Sequence, residues 1–224
     1  NHESWDNFSN YIYRFSMPNY QNTNNFFYTI EQPPLKMINF NTETFYGSDY
    51  LKQPFYNQLD FITKELQNIN RSLYPWVIAT GHRPMYCSNK NNDDCTHWRN
   101  DKLRYLENLF FKYNLTIYLS AHEHSYERIC PIYDGQCQEG LNKSSSFNNS
   151  KLQYPLHIIS GAAGCREGHE KFINDVPFWS VLRNYNSGYG ILDVNYDRLK
   201  WYEYVVNETN QETYLIDSLE ILNQ

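Results

Sequence analysis

An α/β fold is predicted by three observations: two helix-then-strand units follow one another in the first half of the chain, both of their strands stop at histidine, and the second half reads mostly as sheet. Residues Phe26 to Ile30 and Leu35 to Asn41 are short apolar runs separated by Pro33 and Pro34, and the second alternates as a half-buried strand does. They are expected to be neighbouring strands. From Pro54 to Asn70, Leu59, Ile62, Leu66 and Ile69 recur at steps of three and four, the stripe of a surface helix. That helix feeds Trp76 to Thr80, a buried-strand run ending at Gly81-His82-Arg83-Pro84. The pattern then repeats. Leu103, Leu106, Leu109 and Phe110 form a second helical stripe, and Leu115 to Ser120 form a second buried strand that ends at Ala121-His122-Glu123-His124. Tyr126 to Tyr133, Leu156 to Ser160, Gly188 to Asn195, Leu199 to Val206 and Tyr214 to Leu222 alternate Tyr or branched residues with polar ones and are expected strands. Gly135 to Lys151, rich in Gly, Ser and Asn, is expected to be a mobile or disordered loop.

A chain of 224 residues with 41% hydrophobic residues is long enough to bury a substantial core as one unit. Its net charge of -6 supplies no broad cationic surface, which argues against nucleic-acid binding, so any bound anion must be held locally by metals or a few donors. No run approaches the roughly 20 apolar residues of a membrane span. The chain opens on Asn1-His2-Glu3 with neither methionine nor an apolar signal, so its front end reads as a cut.

Cys87 and Cys95 bracket a polar loop, and Cys130 and Cys137 bracket a turn, so two local disulfides are expected. Cys165 is left over, with a free thiol, re-pairing, or a cysteine upstream of Asn1 all open. Neither pair has the two-residue spacing of a zinc ribbon. Asn7, Asn70, Asn114, Asn142, Asn148 and Asn207 each begin an N-x-S/T triplet, an acceptor pattern for glycans. Disulfides and sequons together place the chain in the secretory pathway.

His122 and His124 stand two apart at a strand end, so both rings can face one metal site. The metallo-β-lactamase arrangement needs Asp-His directly afterwards, where this chain has Ser125-Tyr126, and the amidohydrolase one needs a full barrel. His82 occupies an equivalent strand end, and ligands of open α/β sheets gather beyond such ends. Convergence of the three is what a hydrolytic metal site requires.

Asn1-His2-Glu3, Gly81-His82-Arg83-Pro84 and Ala121-His122-Glu123-His124-Ser125-Tyr126-Glu127-Arg128 resemble the third, fourth and fifth blocks of the purple acid phosphatases, within the calcineurin-like metallophosphoesterases, in order and spacing. The likeness continues through Ser160-Gly161-Ala162-Ala163-Gly164, Phe178-Trp179-Ser180 and Tyr189-Gly190, and is strongest toward the animal-type branch. The resemblance implies a two-layer β-sandwich flanked by helices (αββα), incomplete at its N-terminal side, with residues 1–224 forming the C-terminal part of one catalytic domain. It implies Asn1, His82 and His122 as ligands of a divalent ion (Zn(II), Mn(II) or Fe(II)), His124 as ligand of Fe(III), and His2 as catalytic donor to the phosphate or leaving-group oxygen. The implied reaction is hydrolysis of small phosphate monoesters at acid pH by a dinuclear centre, with a metal-bound hydroxide as nucleophile.

Two departures stand out. The family's first two blocks, with an aspartate, a bridging aspartate and a tyrosine, precede Asn1, so the upstream segment of the same protein is an expected partner. The adjacent histidine pair of the plant members, nine and ten residues after His82, is replaced by Asn91 and Asn92, leaving His97 as a substitute. Two other readings compete: a metallophosphoesterase acting on phosphodiesters or nucleotide pyrophosphates, and a noncatalytic scaffold that keeps the fold.

Overall fold

The computed structural model describes residues 2, 8–47, 52–91, 95–97, 102–164 and 166–224, with side chains of the long helix described from residue 54 onward. A short helix, α1 (Ser9–Arg14), and a single turn, α2 (Tyr20–Thr23), precede a hairpin of β1 (Phe27–Gln32) and β2 (Leu35–Phe40) that turns at a cis Pro33-Pro34 bond. Then come α3 (Lys52–Gln67), β3 (Trp76–Thr80), α4 (Arg104–Lys112) and β4 (Ile117–Ser120), the two helix-then-strand units expected from the apolar spacing. The remainder is strand: β5 (Tyr126–Ile129), β6 (Ile132–Tyr133), β7 (Gln136–Cys137), β8 (Ser146–Asn148), β9 (Leu156–Ser160), β10 (Ser180–Asn184), β11 (Gly188–Val194), β12 (Arg198–Val206) and β13 (Thr213–Leu222).

These strands make a seven-stranded mixed sheet, in the order β1-β2-β3-β4-β9-β5-β10, and a four-stranded sheet, β11-β12-β13-β8. Within the larger sheet β2, β3, β4 and β9 run parallel, so their carboxyl ends lie along one edge. Successive residues of β3 serve opposite layers, because side chains alternate along a strand. Val77 and Ala79 join Ile62 and Leu66 of α3 and Leu106 and Phe110 of α4 in one core. Trp76 and Ile78 join Leu199, Trp201, Leu219 and Ile221 of the smaller sheet in a second. Each fully buried aliphatic or aromatic side chain contributes about 1.5–3 kcal/mol. The two-layer β-sandwich with flanking helices is therefore the observed architecture.

One sequence reading is corrected. Residues 135–151 are not a structureless loop: β7 closes a small hairpin with β6, β8 pairs parallel with β13, and Phe147 is buried in the intersheet core. Arg128 is buried and donates to both oxygens of Asp217 at 2.6 and 3.0 Å, bridging the two sheets. Strand β10, which pairs with β5, was not expected from the sequence.

Candidate metal centre

Beyond β3 and β4 the ladder continues for one more step: Gly81 N donates to Leu119 O (3.2 Å) and Ala121 N to His82 O (3.0 Å). This brings His82 and His122 onto adjacent chains. His122 Nδ1 and His82 Nε2 are 3.1 Å apart, with the rings edge to face at 4.9 Å between centroids. His122 adopts φ 60°, a left-handed conformation that costs an L-residue of this size about 1–2 kcal/mol and is held only where surrounding contacts enforce it. The following turn is tight, Glu123 N donating to Ala121 O and Ser125 N to Glu123 O, both at 2.7 Å. Gly161, at the end of β9, fits under it because it lacks a side chain: a Cβ there would lie 2.1 Å from Glu123 O. The Ser160-Gly161 stretch thus has a packing reason to be glycine.

Arg83 organises one side of the cluster. Its Nε donates to Glu43 Oε1 (2.7 Å), its Nη1 lies 3.2 Å from His122 Nε2, and the guanidinium stacks 4.9 Å over Tyr46. Burial pushes the Glu43 carboxyl up, but Arg83 outweighs it and holds Glu43 below its ordinary value. His82 is exposed, yet burial of its ring, the largest cause, pushes it down to about 3. That direction favours the neutral imidazole, the form that ligates a metal.

His124 is held by different partners. Its Nδ1 is 3.1 Å from Gly168 O, its backbone N–H donates to Glu170 Oε2 (3.2 Å), and its carbonyl accepts from Glu170 N (3.3 Å). Carrying the proton on Nδ1 leaves Nε2 free for a ligand, the usual arrangement for a metal-binding histidine. The structure thus puts His82 and His122 in contact and holds His124 two residues further along the same turn. His2 is exposed and lines, with His82, Asn39, Asn41, Glu43 and Thr80, a cavity of about 430 Å³. Asn1 lies outside the described residues, as do Asn7, Asn92 and Cys165.

Imidazole nitrogens are borderline donors suited to Zn(II), Fe(II) or Mn(II), so by residue type the three histidines fit part of the donor set of a metal centre. Among the described residues His82, His122 and His124 do not draw together within 4.8 Å; the one group of three possible ligand side chains whose donor atoms lie that close to one another is Cys87, Cys95 and Glu123. Its sulfurs are joined to one another, which removes both thiolates. Cys130 and Cys137 form the other disulfide. Asn91 donates to Glu123 Oε2 (2.8 Å) and so faces into the protein. Glu43, Gly168 and Glu170 were not singled out in the sequence; none stands near its partner in the chain, and no local pattern marks them.

A family model described as calcineurin-like phosphoesterase matches residues 1–126, and one described as iron/zinc purple acid phosphatase-like protein C matches residues 154–214. Acid phosphatase type 7 of Danio rerio is 41% identical over 204 residues, covering 84% of this chain and 45% of that protein. A protein named probable inactive purple acid phosphatase 9 of Arabidopsis thaliana is 31% identical over 188 residues, covering 78% of this chain and 26% of that protein. Among solved structures, purple acid phosphatase PPD1 from yellow lupin seeds aligns with a TM-score of 0.74 at 24% identity, covering 96% of this chain and 35% of that one, a likeness of fold. The chain spans less than half the length of these relatives. With over half of its length matched by the first family model and residues 154–214 by the other, the chain belongs to the calcineurin-like phosphoesterases, in their purple acid phosphatase branch.

Proposed function

We propose that the protein containing this chain hydrolyses small phosphate monoesters at acid pH in the secretory pathway, using a dinuclear centre of Fe(III) with Zn(II), Mn(II) or Fe(II). The observation that carries this reading is the contact between His82 and His122 at two adjacent strand ends, with His124 on the same turn. Asn1, His82 and His122 would hold the divalent ion and His124 the ferric ion. When bound, the pair of ions supplies an activated hydroxide and positive charge for the attacking and departing oxygens. The chain's own residues do the rest. Neutral His82 offers a lone pair without prior loss of a proton, Arg83 and Glu43 fix the rim beside His122, and exposed His2 is free to donate to the phosphate or the leaving group. The remaining ligands would come from a further part of the same protein, a reading supported by the greater length of the relatives.

Two disulfides support an oxidising compartment. Asn70, Asn114 and Asn142 are exposed as glycan acceptors must be; Asn148 and Asn207 are half-buried, and each uses Oδ1 to accept a local backbone N–H. Measuring the metal content of the full-length protein, together with hydrolysis of p-nitrophenyl phosphate and bis(p-nitrophenyl) phosphate across pH, tests the proposal. Monoester turnover with an acid optimum is expected. Preference for the diester transfers the protein to the phosphodiesterase reading, and bound metal with neither activity makes it a scaffold like the relative named inactive.

A further inference from the structure

The segment that contacts His124 is itself fastened to a second loop. Lys90 N donates to Lys171 O (2.8 Å), Ile173 N donates to Ser88 O (2.9 Å), and Asn89 and Phe172 form an isolated bridge. Asn89 Nδ2 donates to Ser125 Oγ (2.9 Å) on the histidine turn and lies 3.4 Å from Glu170 O. The 88–91 stretch is in turn closed by the Cys87–Cys95 disulfide, and Cys95 Sγ lies 3.2 Å from Glu123 Oε1. Glu170 stands where these strands of contact meet. Its carboxylate takes the His124 backbone N–H, and its own backbone N–H donates to the His124 carbonyl. The fully buried Glu123 separates the two histidines of the turn.

We infer that Glu170 is a positioning residue for the histidine turn: by accepting the His124 N–H on its carboxylate and donating its own N–H to the His124 carbonyl, it fixes where His122 and His124 stand relative to one another. The inference rests on the metal-centre reading above. A turn with i to i+2 hydrogen bonds and a left-handed residue has little intrinsic preference for that shape, so it must be clamped from outside. Glu170 clamps at backbone level, and the Gly168 carbonyl two residues earlier sets the ring. Movement of the 168–170 segment would shift both at once.

The test compares Glu170→Ala with Glu170→Gln in the full-length protein. Glutamine keeps a side-chain oxygen that can accept the His124 N–H; alanine does not. Zn²⁺ affinity by calorimetric titration is expected to weaken by about 10- to 100-fold in the alanine variant, the range seen when a ligand's outer partner is lost, and to recover within about threefold in the glutamine variant. In metal-free protein, hydrogen exchange at the His124 amide should accelerate in the alanine variant alone. Should that variant fail to fold, Glu170→Asp carries the same comparison, with charge kept and reach shortened by one methylene. Wild-type Zn²⁺ affinity and His124 exchange in the folded alanine or aspartate variant would overturn the inference. If the wild-type protein itself binds no Zn²⁺, the metal-centre reading fails separately, and His124 exchange still decides whether Glu170 clamps the turn.

Discussion

Between the sheets, Arg128 reaches both oxygens of Asp217, Tyr126 donates to the same carboxylate at 2.6 Å, and Ser160 Oγ stands 3.3 Å from Glu203; all but Ser160 are buried. At the strand ends His82, His122 and His124 reach solvent; His82 and His122 touch one another, and His124 meets the Gly168 carbonyl. Both clusters join residues far apart in the chain, yet they answer different demands. A charge sealed in the interior must have its whole hydrogen-bonding capacity met, or the fold loses several kcal/mol. Groups at a rim stay within reach of solvent and of whatever binds there. The interior cluster is sealed and charge-paired, and the rim cluster is open to solvent.

That contrast can be broken at either end. The largest effect is expected from His82→Ala or His124→Ala, which should abolish phosphoester turnover while the urea midpoint moves by no more than about 0.5 kcal/mol, as for substitutions outside the core; retained turnover would remove that ring from the site. In the interior the pattern inverts: Asp217→Ala leaves Arg128 buried and unpaired and should cost about 3–5 kcal/mol in urea denaturation. Gly161→Ala stands between the two, because it presses a methyl onto Glu123 O. A loss of about 1–3 kcal/mol is expected, with a fall in activity as the histidine turn is displaced.

The smallest effects are slopes with pH. Burial pushes Glu203 up to about 8, so between roughly pH 4.3 and 8 the folded chain holds a proton that the unfolded chain has released, and stability falls as pH rises. Burial pushes His157 down to about 3, so between about 3 and 6.5 the unfolded chain holds the extra proton, and stability rises with pH. Each slope is at most about 1.4 kcal/mol per pH unit, and the two oppose where they overlap. Glu203→Gln should flatten the decline between about pH 6.5 and 8, and His157→Phe the rise on the acid side, both read from urea midpoints against pH.

Local pattern carried much of the fold. The stripes through Leu59, Ile62 and Leu66 and through Leu106 and Phe110, and the runs at Trp76 and Ile117, sit where period and apolarity placed them. The meeting of His82 and His122 was legible because two equivalent strand ends imply neighbouring positions in a parallel sheet. Partnerships across long separations left no such trace. Arg128 finds Asp217 89 residues away, and Glu170 finds His124 46 residues away, and neither pair has a spacing that marks it. Strand β8 was hidden for another reason: Ser146 and Asn148 flank one buried Phe147, too short a run to show alternation among so many polar neighbours.

Those three residues govern what the smaller sheet does in company. Strand β13 is ten residues long, and a bare flank of that length offers a row of unmatched amide and carbonyl groups on which another chain can build. By lying alongside Glu220, Ile221 and Leu222, β8 occupies the C-terminal end of that row, so a loop that looks dispensable in sequence supplies backbone partners to the edge of the smaller sheet.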